Sequence, residues 1–207
     1  MEQNKNNQFL YHWVPKEVVG DKLHSLYKMK DPEKHEDINP ELYSKLKEIY
    51  AEASKKYISE NEDRQKVPDE IIPKLECKWG DVLQFSAVHP EQIKAAFTNA
   101  GLLWTEKKFY QIDPKILDPK KTQVYLYKDK NGQKKYSDYD PENLKELSEL
   151  SQYTREYYRK NGEDGTKPLV FVGVPHIMHN GSLDVSDISK IPVITVSSNE
   201  EDLKNRK

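Results

Sequence analysis

The sequence predicts a mixed α+β fold, and three observations carry that prediction. Short β-branched and aromatic runs of strand length recur along the 207-residue chain. Between them lie amphipathic stretches with apolar residues at helical spacing. An Asn131-Gly132 pair between two strand-like runs marks a hairpin, so part of the sheet is antiparallel. Strands, helices and a hairpin interleaved in this way favour α+β over a doubly wound parallel sheet.

Taken in order, "FLYHWV" (9–14) reads as a first strand, stopped by Pro15. Residues 18–38 give mixed signals and read as a loop with one helical turn. The stretch 39–58 reads as a helix that packs one apolar stripe against the sheet. Asn39 caps it, Pro40 fits its first position, and Leu42, Leu46, Ile49, Ala53 and Tyr57 recur at helical spacing. "SENEDRQKVPDE" is a charged, solvated connection in which Pro68 opens a short turn. "DVLQFSAV" (81–88) is the clearest central strand, and His89-Pro90 starts a helix closed by Asn99 or Gly101. Residues 107–113 and 122–129 read as strands, and the Asn-Gly turn returns the chain into "QKKYSDYD". A helical segment opens at Asp140-Pro141 and runs, with a break, to Asn161-Gly162. "PLVFVGV" (168–174) and "IPVITVS" (191–197) are the last expected strands. The predicted organisation is a disordered lead at 1–8, one α+β domain over 9–197 and a flexible tail at 198–207.

Composition narrows the function classes. Lys and Arg total 33 against 35 Asp and Glu, so no global field selects nucleic acid or an anionic membrane. The bases are nearly all Lys, with Arg confined to 64, 155, 159 and 206, which argues against extended bidentate phosphate recognition. Cys77 is the single cysteine, which excludes an intrachain disulfide and a CxxC zinc site and fits a reducing, cytoplasmic setting. No window approaches the roughly 18 apolar residues of a membrane span, and no signal-peptide pattern follows the polar start.

The common catalytic fingerprints are absent: no GxGxxG, GxxxxGK[ST] or GxSxG occurs, and "HEDIN" lacks the second histidine of HExxH. Cys77 reads as a buried, inert cysteine rather than a nucleophile. The histidines are more informative. His176 and His179 stand three apart in "VPHIMHNGSL", between Pro175 and Asn180-Gly181. They read either as the end of a strand entering a turn or as a metal pair completed by Asp184, Asp187 or a distant His89, and the turn reading is favoured because it breaks the shared face that chelation needs. No metal is therefore expected. His89 reads as a helix N-cap or as a polar group at a strand end, with Ser86 beside it. His12 sits inside an aromatic strand, flanked by Tyr11 and Trp13. Strand alternation puts those two on the face opposite His12, which then either meets a helix or opens to a cleft.

A strand ending in Tyr-His near the N-terminus, then a loop and helix, resembles the opening of the ADP-ribosyltransferase-like fold. Small bacterial members, including RNA 2′-phosphotransferase-like and DNA ADP-ribosylating proteins, begin in this way. "VLQFSAVHPEQIKAAF", "FYQIDPKIL" and the closing "LVFVGVPHI … IPVITV" resemble its later strands. The opening run also resembles bacterial proteins that begin "YHWVP", a likeness that implies no activity. The resemblance implies a split, antiparallel-rich sheet with flanking helices, NAD as cofactor, and His12 as the residue that bonds its ribose. It places His12, His89 and His176 as catalytic candidates, and Tyr11, His12, Trp13 and Ser86 as cofactor-binding ones. Two features depart from the family pattern. The expected late-strand glutamate is missing from "LVFVGVPHI", with Glu163 only nearby, and Lys16 or Lys22 stands where an Arg would hold the pyrophosphate.

The implied function is that of a nucleotide- or NAD-binding protein, transferring ADP-ribose to a nucleic-acid or protein acceptor, with no membrane partner. A non-enzymatic binding or regulatory protein is the alternative. A metal-assisted hydrolase using His176, His179 and Asp184 ranks third.

Overall fold

The computed structural model describes residues 8–57, 65–128 and 133–198. Its elements are β1 (Leu10–Trp13), β2 (Lys22–Leu23), α1 (Leu26–Lys30) and α2 (Tyr43–Ser54). There follow β3 (Ile71–Ile72), β4 (Cys77–Lys78), β5 (Leu83–Phe85), α3 (Pro90–Asn99) and β6 (Lys107–Ile112). The hairpin strands β7 (Thr122–Lys128) and β8 (Lys134–Asp138), then α4 (Gln152–Glu163), lead to β9 (His176–His179), β10 (Leu183–Asp184) and β11 (Val193–Val196).

The fold is α+β, and its main sheet is split. One half runs β1-β6-β11 and the other β5-β9-β7-β8, with every pairing antiparallel. The halves join at a single antiparallel bridge between Tyr11 of β1 and Ser86 just beyond β5, with N–H to O distances of 2.7 and 3.0 Å. Beyond the bridge the strands diverge, because Val14 N–H turns to Lys108 O of the β6 side. Alternation along β1 is as expected. Leu10 enters a core with Phe85, Ile112 and Ile177. Tyr11 instead enters an aromatic core with Phe97, Trp104, Phe109 and Tyr158 beneath α3 and α4.

Both flanking helices are capped as their sequences require. His89 Nδ1 accepts from Glu91 N–H at the start of α3, with Pro90 at the first helical position, and Gly101 at φ +72° follows its end. Ser151 Oγ accepts from Thr154 N–H at the start of α4. The segment opened by Asp140-Pro141 is a turn and a 3₁₀ stretch at Glu146–Ser148 before that cap.

Three expectations are corrected. Residues 168–174 form turns rather than a strand. Their backbone groups are taken by side chains: Tyr157 Oη accepts from Leu169 N–H, while the Tyr158 and Tyr127 hydroxyls donate to Val170 O and Phe171 O. Gly173 at φ +76° is also incompatible with extended backbone. The strand lies one step later, at the two histidines. Second, the loop after β1 carries not only the helical turn α1 but also β2, which pairs with β10. Third, the helix of 39–58 opens with a 3₁₀ turn at Pro40–Leu42 under an Asn39 cap and becomes α-helical at Tyr43. Its buried residue, Leu46, packs with Val19 and Ile38 beside Met29 of α1, not onto the sheet. The Asn131-Gly132 turn, residue 58 and residues 59–64 of the charged connection lie outside the described residues, as do 1–7 and 199–207. Among the described residues no helix is long and apolar enough to cross a membrane.

Candidate functional site

Where the two half-sheets part, the structure leaves a cleft of about 410 Å³. That lies within the roughly 300–1,000 Å³ usual for small-molecule sites. Its floor is the divergent ends of β1 and β5, with His12, Trp13, Leu83 and Gln84. Its roof is the α2 stripe of Leu46, Ile49 and Ala53, continued by Tyr57 in the 3₁₀ turn after the helix, held off the sheet by the intervening space. The segment after β1 supplies the polar wall, with Lys16, Glu17, Lys22 and His24, and Trp79 closes one end.

His12 spans the split. Its Nδ1 lies 2.8 Å from the Gln84 carbonyl, and its ring packs tilted on Phe85 at 5.4 Å. A carbonyl only accepts, so Nδ1 carries a proton. The imidazole is half-buried between two strand ends that no longer share a backbone ladder. Lys16 and Lys22 line the same cleft, and neither has an ion-pair partner within 4 Å among the described residues. Glu17 is the one carboxylate among the described lining residues, and Lys45 Nζ holds it at 3.0 Å.

Of the other expected site residues, Trp13 lines the cleft while its ring leans on Phe109 at 6.3 Å. The rest are elsewhere. Tyr11 is buried in the aromatic core, edge-on to the His89 ring at 5.0 Å. Ser86 is buried, its hydroxyl accepting from Val88 N–H at 3.0 Å. His89 serves as the α3 cap, and burial lowers its pKa. All three belong to the opposite side of β1, because Tyr11 and His12 point to opposite faces of the strand.

His176 and His179 occupy β9 in the middle of a half-sheet. Three residues apart on a strand, they face opposite sides, so they cannot chelate together. His179 is buried against Thr122 Oγ1 at 2.9 Å, and burial lowers its pKa. Thr122 donates its own proton to Asp118 O, so His179 Nδ1 is the donor. A Cβ on Gly181 would come within 2.5 Å of His179 Nε2, which explains the glycine in "HNGS". His176 lies against Trp79 at 5.7 Å and Tyr127 at 5.5 Å, and its Nε2 meets the Tyr127 hydroxyl at 3.2 Å. Because that hydroxyl donates to Phe171 O, His176 Nε2 carries the proton. Trp79 thus stands between His176 and the cleft, which His176 does not line.

The hydrolase constellation is not assembled: Asp184 accepts from Ser186 Oγ and N–H, and no group of three ligating side chains is placed for a metal among the described residues. Glu163 ends α4 paired with Arg159, so it is no substitute for a strand glutamate. Burial pushes the Cys77 thiol up to about 11, so the thiolate is scarce at neutral pH.

Gln84, Trp79, Glu17 and His24 are the cleft residues that sequence reasoning missed. Gln84 lay in a correctly read strand, but its role depends on where the sheet splits. No family model, curated protein or solved structure matches the chain.

Proposed function

We propose that the protein binds a nucleotide of the NAD class in the split-sheet cleft and transfers ADP-ribose to a nucleic-acid or protein acceptor. The observation that carries the reading is His12 at the floor of the cleft, where the two half-sheets diverge. An imidazole beside the split suits a ribose hydroxyl, and Lys16 and Lys22 on the same wall suit the pyrophosphate. The apolar roof of Leu46, Ile49 and Ala53 with Trp79 offers a stacking and packing surface for a base.

Transfer requires a group to take the acceptor's proton. Glu17, the one carboxylate among the described lining residues, is held by Lys45 and serves that task only if the acceptor displaces the ammonium. The same ion pair favours a second reading, in which the nucleotide is bound without transfer by a regulatory protein.

The test is His12→Ala with NAD. NAD at a hundred times its dissociation constant should stabilise the wild type by about 2.7 kcal/mol. The variant should keep its unliganded melting temperature and lose that shift. A loss of about 1–3 kcal/mol in the unliganded variant, with NAD binding retained, would identify His12 as a strut for Gln84 and sink the assignment. Release of nicotinamide in the presence of oligonucleotide or protein acceptors separates transfer from binding alone.

A further inference from the structure

His24 lines the cleft wall at the end of a hydrogen-bonded chain that joins segments far apart in sequence. Lys28 Nζ donates to Asp37 Oδ1 and Oδ2 at 3.0 and 2.8 Å and to Ser182 Oγ at 3.1 Å. Ser182 Oγ lies 3.3 Å from His24 Nδ1. The protons can be assigned. The three ammonium protons of Lys28 account for its three contacts, so Ser182 accepts from Lys28. The serine hydroxyl then has one acceptor among its described partners, His24 Nδ1. A ring that accepts at Nδ1 while neutral carries its proton on Nε2, the polar atom left for the cleft.

We propose that His24 is a second ligand-contacting histidine, donating its Nε2–H to an anionic phosphoryl oxygen, with Asp37, Lys28 and Ser182 as positioning residues that fix its tautomer. The proposal rests on the nucleotide reading and extends it. His12 and His24 then contact different parts of the ligand, the first its ribose and the second an oxygen that carries charge. Lys22, two residues from His24 on the same wall, adds the positive field that such an oxygen needs. The β2–β10 pairing, with Val185 N–H bonded to Asp21 O, holds the two loops of the chain together so that Ser182 stays in reach.

The groups around His24 bear on its charge. Burial is the largest influence and lowers its pKa, Lys28, Lys22 and His35 act in the same direction, and Asp37 opposes them. His24 is therefore neutral at pH 7, as donation at Nε2 with acceptance at Nδ1 requires.

The experiment combines histidine ¹⁵N spectroscopy with titration of ADP and adenosine into the full chain. The unliganded wild type should show His24 as a single Nε2–H tautomer, and Ser182→Ala should populate both tautomers. His24→Ala should weaken ADP binding about tenfold or more, the scale of a hydrogen bond to a charged oxygen. Adenosine binding should not change. His24→Gln, whose amide nitrogen can stand in for Nε2, should recover most of the ADP affinity. A proton on His24 Nδ1 in the wild type, or ADP binding indifferent to His24→Ala, overturns the inference and leaves the nucleotide reading standing. Failure of the wild type to bind ADP and adenosine at all overturns both.

Discussion

Two helices of this chain carry apolar stripes of similar length, yet only one docks on the sheet. In α3, Ile93, Ala96 and Phe97 are buried, with Phe97 edge-on to Trp104 at 5.4 Å and tilted on Tyr158 at 4.4 Å. Trp104 is fully buried, and its indole N–H reaches Val196 O at 3.1 Å. In α2, Leu46 alone is buried, and Ile49 and Ala53 face the cleft. Large aromatic side chains fill the first gap and fix α3 and α4 against β1-β6-β11. The second gap has no such filler, so the helix leans on α1 and the Val19–Ile38 segment instead. The packed side supplies stability, and the open side leaves apolar surface facing a cleft that the core does not consume.

The sharpest way to break this contrast is Trp104→Ala. It should cost about 3–5 kcal/mol, the range for deleting a buried aromatic side chain, read from the urea midpoint. A cost below about 1 kcal/mol would mean that the aromatic core is not close-packed.

Acid should expose a second difference. His179 and His24 both have folded pKa values below the unfolded value of about 6.5. The unfolded chain then binds more protons below that pH, so their stabilisation is full above it and is lost as pH falls toward the folded values. Each fully titrating group contributes at most about 1.4 kcal/mol per pH unit. His179, sealed against Thr122 and Gly181, should dominate: His179→Asn should flatten the stability profile between pH 6.5 and 5 more than His24→Asn does. Equal effects would show that the cleft wall is as closed as the sheet.

The smallest expected effect is the most selective. Ala53→Leu adds volume to the roof of an open cleft, so stability should change by no more than about 0.5 kcal/mol. Nucleotide binding should fall, because the added methyls occupy the ligand's space. A destabilisation of about 1–3 kcal/mol, as for overpacking a filled core, would show that Ala53 faces protein rather than cleft.

Much of the architecture was present in the sequence because it is local. Period-two runs marked β1, β6, β7 and β11, and the His89-Pro90 and Asn39-Pro40 pairs marked helix starts through cap chemistry that involves only neighbouring residues. The alternation of Tyr11 and His12 followed from strand geometry alone, and it separated His12 from Tyr11 before any contact was known, although Trp13 also reaches the cleft. The false strand at 168–174 shows the limit. Its β-branched run was genuine, but the tyrosines that claim its carbonyls come from α4 and from the far end of β7. A hydrogen-bonding group goes to whichever partner the fold brings near, and pattern cannot name that partner.

The site divides in the same way. Residue type and period determined that His12 would present its ring to one face of a strand. Only the tertiary structure decided that this face opens where the sheet splits, that His89, Ser86 and Tyr11 lie behind it, and that His24 joins it. His24 and Ser182 are 158 positions apart, and nothing in "KLHSL" or "NGSL" announces the other. The physical reason is that a hydrogen bond or a cleft wall depends on distance in space, which chain folding sets through many packing contacts at once, whereas period and capping depend on distance along the chain.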